Sequence, residues 1–314
     1  MKAINIFPIA FDSFGVRSMS TFVKAGKLGI CIDPGVALGP KRYGLPPAKE
    51  EHNALDICRK KIMEIAEHYA NVIFVSHYHY DHHPFPDDTE MYKKCFSDKI
   101  VLAKDRMNNV NLSGKRRGKM FEDNIKDIVK SLEWADSKDF EFEGVRLSVS
   151  PAVWHGDVGS KVGKVVMLYI EKGKDSFLFG SDAQGLADPK ALGWFIEKNP
   201  KFAILDGYPT IFVGWRMSAK AFEKSKENLK KAISETQVKT IILEHHILRD
   251  IKYKEKIKDI LDLTEKLGKN LLTAAEFCGM SNMFLEAWRK KLHRGETTPD
   301  IYKYFRALHS KFMI

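Results

Sequence analysis

Short apolar runs alternate with longer amphipathic stretches along most of the chain. Residues 71–75, Asn-Val-Ile-Phe-Val, are brief, apolar and β-branched, which reads as a buried strand. Residues 28–32, 99–103, 202–205 and 240–244 have the same character, and 240–244 reads as the last such strand. Residues 3–10 and 20–33 carry the first strands, with a turn at 12–18 between them. Residues 140–142 and 145–149 alternate about Glu143-Gly144, a hairpin, and 165–170 with 176–179 form the next pair. Apolar residues three and four apart mark helices. Leu55, Cys58, Ile62, Ile65 and Tyr69 make one stripe, and Ile125, Ile128, Val129 and Leu132 predict another helix over 121–133. Residues 89–96, 189–198, 218–235 and 251–267 also read as helical. Thr273-Ala274-Ala275-Glu276 is a capping-box pattern opening a helix to about 292, and 299–312 reads as a final helix. Strands that alternate with helices predict an α/β fold with right-handed crossovers. Linker composition and internal repeats are missing, so the expectation is one domain over 1–314 with a helical C-terminal extension from about 251.

Candidate chemistry gathers where these strands end. The run 72–75 is followed by Ser76-His77-Tyr78-His79-Tyr80-Asp81-His82-His83. In an extended segment His77 and His79 point the same way and can hold one metal ion. Asp81 continues that alternation, and His82 points elsewhere, available to a second ion. Imidazole nitrogen and carboxylate oxygen suit zinc, iron or manganese. The bland alternative is a solvated histidine-rich loop or a pH-sensitive patch. Spaced ligands at a strand end are more specific than histidine enrichment.

His77-x-His79-x-Asp81-His82 resembles the HxHxDH signature of the metallo-β-lactamase superfamily. The resemblance spans roughly residues 1–250. It implies a four-layer αβ/βα sandwich with two similar halves, and two divalent metal ions, zinc first, with iron or manganese as alternatives. It implies metal ligands at His77, His79, Asp81, His82, His155, Asp182 and His245. Asp182 would bridge the ions, although Ser181 separates it from Gly180. Asp81 would also help orient the nucleophile, a catalytic role. Asp33, in Asp33-Pro34-Gly35, would orient the metal loop by hydrogen bonding without binding metal; an ordinary turn is the alternative. His245 is preferred over His246 because it is nearer the strand end, and Arg249 and Asp250 are candidates to support the site. Asp206, at another strand end, either lines the site or makes a turn with Gly207. The implied activity is hydrolysis by metal-activated water.

Departures from known branches narrow the reading. His79 stands where oxygen-reducing di-iron relatives carry glutamate. Ile247-Leu248-Arg249-Asp250 is unlike the HFSxRY ending of tRNA 3′-processing relatives, and too few residues separate Asp182 from His245 for a β-CASP insertion. The whole-chain pattern is most similar to an uncharacterised archaeal branch of metal-dependent hydrolases.

Composition adds charge and location. Among 314 residues the net charge is +10, which favours an anionic partner; dispersed lysine on solvated helices gives the same total. Lys115, Arg116, Arg117 and Lys119 form the densest basic cluster, flanked by glycines. As a flexible loop over 104–124 it would suit phosphate, with Arg116 and Arg117 as substrate-binding residues; a solvated connector is the even alternative. The expected substrate is a small-molecule or nucleotide anionic ester such as a phosphodiester, with nucleic acid a candidate partner. A lactone or thioester hydrolase is the first alternative. A non-catalytic nucleic-acid-binding protein that keeps the fold is the second. No run of 18 apolar residues exists, so no membrane span is expected, and the N-terminal residues lack a signal-peptide layout. Cys31, Cys58, Cys95 and Cys278 are scattered without a CxxC pair and read as free thiols, which points to a cytoplasmic protein of open oligomeric state.

Overall fold

The β-branched runs become the strands of two large sheets in a computed structural model that describes residues 3–311. Residues 1–2, before the first expected strand, and 312, the end of the last expected helix, lie outside the described residues with 313 and 314. The first sheet holds β1 (Ile4–Phe11), β2 (Met19–Ala25), β3 (Leu28–Ile32), β4 (Val72–Val75), β5 (Ile100–Ala103) and β6 (Ser131–Trp134), side by side in that order. β1 to β3 are antiparallel, and β3 to β6 are parallel. The second sheet is built from β7 (Asp139–Phe142), β8 (Val145–Val149), β11 (Leu168–Lys172), β12 (Asp175–Phe179), β13 (Phe202–Asp206), β14 (Thr240–Glu244) and β15 (Asn270–Leu272). Its spatial order is β15-β14-β13-β12-β11-β8-β7. Two short strands, β9 (Val153–Trp154) and β10 (Lys164–Val165), pair apart from it.

Alternation along the strands sets the layers. Phe177, Phe179, Ile204 and Ile242 join the apolar cluster of the first sheet, so they face it across the sandwich. Their neighbours Leu178, Ala203, Leu205, Ile241 and Leu243 join a second cluster with α4 (Pro189–Lys198), α5 (Ala219–Ser234) and α7 (Lys258–Lys266). The first sheet is covered by α1 (Lys49–Tyr69), α2 (Thr89–Phe96), α3 (Leu112–Ile125), α9 (Leu285–His293) and α10 (Ile301–His309). The result is the four-layer sandwich of helices, sheet, sheet and helices. Each fully buried phenylalanine in it contributes roughly 1.5–3 kcal/mol.

Three elements differ from the periodicity. The helix expected over 121–133 starts at Leu112, where the Asn111 side chain accepts from Gly114 N and caps it, and stops at Ile125. Ile128 lies in a turn, Val129 just beyond it, and Leu132 sits in β6, which pairs with β5. The basic run 115–119 is therefore helix, not a flexible loop. Next, β14 is not the last strand, because β15 extends the sheet inside the segment expected to be helical. Finally, the capping box at Thr273 and Glu276 forms, yet it opens only α8 (Ala274–Phe277). The chain reverses at Gly279, whose φ of 65° suits glycine, and helix resumes at α9.

β3, β4, β12, β13 and β14 all end on one edge of the sandwich. Their last residues lead directly into Asp33, Ser76, Gly180, Gly207 and His245. Ligand sites in α/β sheets form at such edges.

Candidate metal centre

Asp33 ties the end of β3 to the loop after β4. One of its oxygens accepts from Ser76 N at 2.7 Å, and the other from Ser76 Oγ at 2.5 Å. That second oxygen also lies 2.7 Å from His82 Nδ1. Gly35 lets the two loops touch: a Cβ there would sit 2.2 Å from His83 N. The histidine run itself is not extended. His82 N donates to His79 O at 2.9 Å, so residues 79–83 turn back on themselves. Strand alternation therefore fails beyond His79, and the turn swings His82 beneath Asp182. His83 leaves the cluster and packs on Tyr78 and Phe121.

The sequence-distant residues meet around Asp182. His77, His79, His155 and Asp182 form one set of donor atoms, and Asp81, His82 and His245 form another. Asp182 Oδ2 is 3.0 Å from His155 Nε2 and 3.5 Å from His77 Nε2. Its Oδ1 is 3.1 Å from His82 Nε2. His245 Nε2 lies 3.7 Å from Asp182 Oδ2 and 3.5 Å from Asp81 Oδ2. Both Asp182 oxygens, His82 Nε2 and His155 Nε2 are buried and make no hydrogen bond. Unbonded buried polar atoms are costly, and a shared cation would satisfy all of them. The donor set thus fits divalent metal. His246 also groups with Asp182 and His245.

The opposite ring nitrogens are held from behind. His245 Nδ1 is 2.7 Å from Asp12 Oδ2, and His82 Nδ1 meets Asp33. His77 Nδ1 lies 3.1 Å from Ser76 Oγ, and Ser181 Oγ donates to that same hydroxyl. His155 Nδ1 meets the Gln184 side chain at 3.3 Å. Asp206 accepts from His246 N and lies 2.8 Å from His246 Nδ1, so it holds His246 from behind and does more than turn the chain.

The electrostatics show what the pocket demands. Burial, then His155, pushes His79 down to about 3. Burial and the neighbouring His82 hold His77 well below the ordinary range. Burial opposes a charged His82, but Asp182 and Asp33 outweigh it and raise it well above the usual imidazole value. Burial likewise opposes a charged Asp182, and His82, His245 and His77 overcome it, so that carboxylate stays well below its usual range. Asp182 therefore calls for positive charge, and it lies beside His77 and His79, whose neutral form burial favours, as metal binding requires.

Asp12, Gln184 and Ser181 around the donors, and Arg216 on the cleft wall, are site residues that sequence reasoning missed. Asp12 reads as an ordinary turn residue, and nothing local marks it. Ser181, between Gly180 and Asp182, reads in the sequence only as a spacer, yet its hydroxyl backs His77 through Ser76. The two predicted substrate arginines separate. Arg117 lines the cleft over the metal centre, its guanidinium 4.8 Å above the Tyr80 ring. Arg116 is exposed on the same helix and does not line the cleft. One helical residue is a turn of about 100°, so neighbours cannot share a face.

Two helix-flanked sheets with histidines and aspartates gathered at the strand ends define a metallo-β-lactamase-fold protein with a divalent-metal site. Over 305 residues the chain is 45% identical to a UPF0282 protein of Pyrococcus furiosus, covering 95% of this chain and 94% of that one. It is 38% identical over 305 residues to the UPF0282 protein of Methanocaldococcus jannaschii, covering 95% and 100%. The chain belongs to the UPF0282 family. A scan of family models matches none. Among solved structures it is similar to YhfI from Bacillus subtilis, a metallo-β-lactamase fold protein, with a TM-score of 0.54 at 11% identity over 89% of this chain and 97% of that one. Yeast PDE1 superposes with a TM-score of 0.53 at 11% identity, covering 87% and 99%. CmlA, a diiron β-hydroxylase from Streptomyces venezuelae, reaches 0.50 at 12% identity, covering 86% of this chain and 52% of that one. Identities this low bear on the fold alone. Among the described residues no helix is long and apolar enough to cross a membrane.

Proposed function

We propose that this protein is a metal-dependent hydrolase of an anionic ester, a phosphodiester above all. The observation that carries the reading is the convergence of unbonded, buried His82, His155 and Asp182 atoms beneath a cleft of about 780 Å³. That volume suits a small-molecule substrate. One ion would be held by His77, His79 and His155, a second by Asp81, His82 and His245, with Asp182 between them. Zinc is the first choice because imidazoles dominate the donors; iron and manganese are the alternatives. Divalent ions bound there would lower the pKa of a water and offset the charge that develops on a polarised ester. Asp81, partly exposed at the cleft surface, would be placed to accept a hydrogen bond from an attacking water and orient it. CmlA shows that the fold alone does not choose hydrolysis. The histidine at position 79 and the nitrogen-rich donor set favour it here.

The cleft wall supports an anionic substrate. Eight of the twelve arginines pair with a carboxylate. Among the described residues Arg117 and Arg216 do not, and both line the cleft. Both stand on aromatic rings instead: Arg117 on Tyr80, itself stacked on Phe85, and Arg216 near Phe212 and Trp215. Guanidinium groups with free donors suit phosphate oxygens. Arg117→Ala or Arg216→Ala should each raise KM by about tenfold or more without loss of metal, and the effect should shrink at high salt. Arg116→Ala should do little.

The deciding experiment is turnover of bis-p-nitrophenyl phosphate, cyclic nucleotides and short RNA beside a lactone and a thioester, with zinc, manganese or iron restored. Phosphodiester cleavage that needs metal and Arg117 supports the reading. Turnover of the lactone or thioester alone, insensitive to both arginines, keeps the hydrolase and removes the anionic substrate. Nucleic-acid binding with no turnover under any metal would make the protein a binding module.

A further inference from the structure

A positive charge built into the chain sits among the donors of one metal set. Arg249 ends the short 3-10 turn His245–Arg249 that carries His245 and His246. Its Nη2 is 3.2 Å from His245 Nε2 and 4.0 Å from Asp81 Oδ2. Its Nε donates to Asp12 Oδ1 at 3.4 Å. The side chain is buried. These donors, His245 Nε2 and Asp81 Oδ2, belong to the Asp81, His82, His245 set. Among the described residues no arginine or lysine makes a hydrogen bond or ion pair with the donors of the other set. His77, His79 and His155 meet serine hydroxyls, the Gln184 amide and one another. An ion on His245 would lie about 2 Å from Nε2, close to where the guanidinium now stands. Two cations that close repel, and a buried site screens them little.

We propose that Arg249 is an internal counter-cation of the Asp81, His82, His245 set, so that the two ions load unequally. The first enters at His77, His79 and His155. The second enters only as the guanidinium withdraws. This rests on the metal-dependent reading and adds an order of loading to it. The withdrawn side chain keeps counter-charge nearby: Asp12 already accepts from its Nε, and Glu286 lines the same small cavity as Arg249 and Asp12. Arg42 donates to the Arg249 carbonyl, which holds the backbone while the side chain moves.

Titration of metal-free protein with zinc in a calorimeter tests this, together with zinc content after exhaustive dialysis. The wild type should bind one ion tightly and a second at least about tenfold more weakly, and should keep one on dialysis. Arg249→Met should bring the two affinities together and keep both ions. Arg249→Lys, which retains the charge, should preserve the inequality. Should Arg249→Met fail to fold, Arg249→Gln keeps a donor for Asp12 and gives the same readout. Two equal sites in the wild type, or a second site still weak in the uncharged variant, would overturn the proposal while leaving the hydrolase reading intact. Zinc binding to no form of the protein would remove both.

Discussion

Asp182→Asn is expected to lose at least one ion and to cut hydrolysis on the order of 10³-fold, with the fold kept. The carboxylate is buried at the meeting point of four imidazoles, those of His77, His82, His155 and His245. Its two oxygens lie within 3.0–3.7 Å of imidazoles from both donor sets. The amide would keep the shape and remove the charge, and one of its two positions would become a donor that cannot face an ion. Metal-borne stabilisation of developing charge is worth several kcal/mol, which sets the size of the rate loss. Elemental analysis beside circular dichroism checks it. A variant with native spectrum and full metal content would make Asp182 a structural residue.

The strand-end chemistry around that aspartate was legible because each part of it is local. An apolar run stops, and a site residue follows within a few positions, at Asp33, His77, Asp182 and His245 alike. What was hidden depends on chain that is far away in sequence. Asp12 looks like a turn residue until β14 brings His245 against it, 233 positions on. β6 and β15 are too short to show a period, and exist because β5 and β14 offer them a parallel edge. The same pairing overrode the helical spacing of Ile128, Val129 and Leu132. The basic cluster shows a third kind of blindness. Its composition was visible, but only the Asn111 cap and the helix phase decide that Arg117 meets the cleft and Arg116 meets water.

The sequence predicts a helical C-terminal extension from about 251, and the stability of the protein should show that its helix α9 braces the fold. Arg289 on α9 and Glu51 on α1 form a fully buried bidentate pair, with contacts of 2.8 and 2.7 Å. Arg289 also donates to the carbonyls of Gly39 and Leu45, which fixes the loop that brings Leu38 to the cleft. One turn earlier on the same helix, Glu286 holds Arg17 at 2.6 Å, and Arg17 lines the cleft too. Arg289→Met would leave Glu51 charged, buried and without its partner. Breaking one side of a buried ion pair costs about 3–5 kcal/mol, so the melting temperature should fall by several degrees. Adding Glu51→Leu should restore much of the loss, because the stranded charge is then removed as well. Some deficit should remain, since Ala48 N donates to Glu51 and two carbonyls lose the guanidinium. Thermal unfolding of the single and double variants measures both numbers. A single variant as stable as the wild type would mean that α9 rests on the fold without bracing it. A double variant no better than the single would place the cost in the lost carbonyl contacts and not in the buried charge.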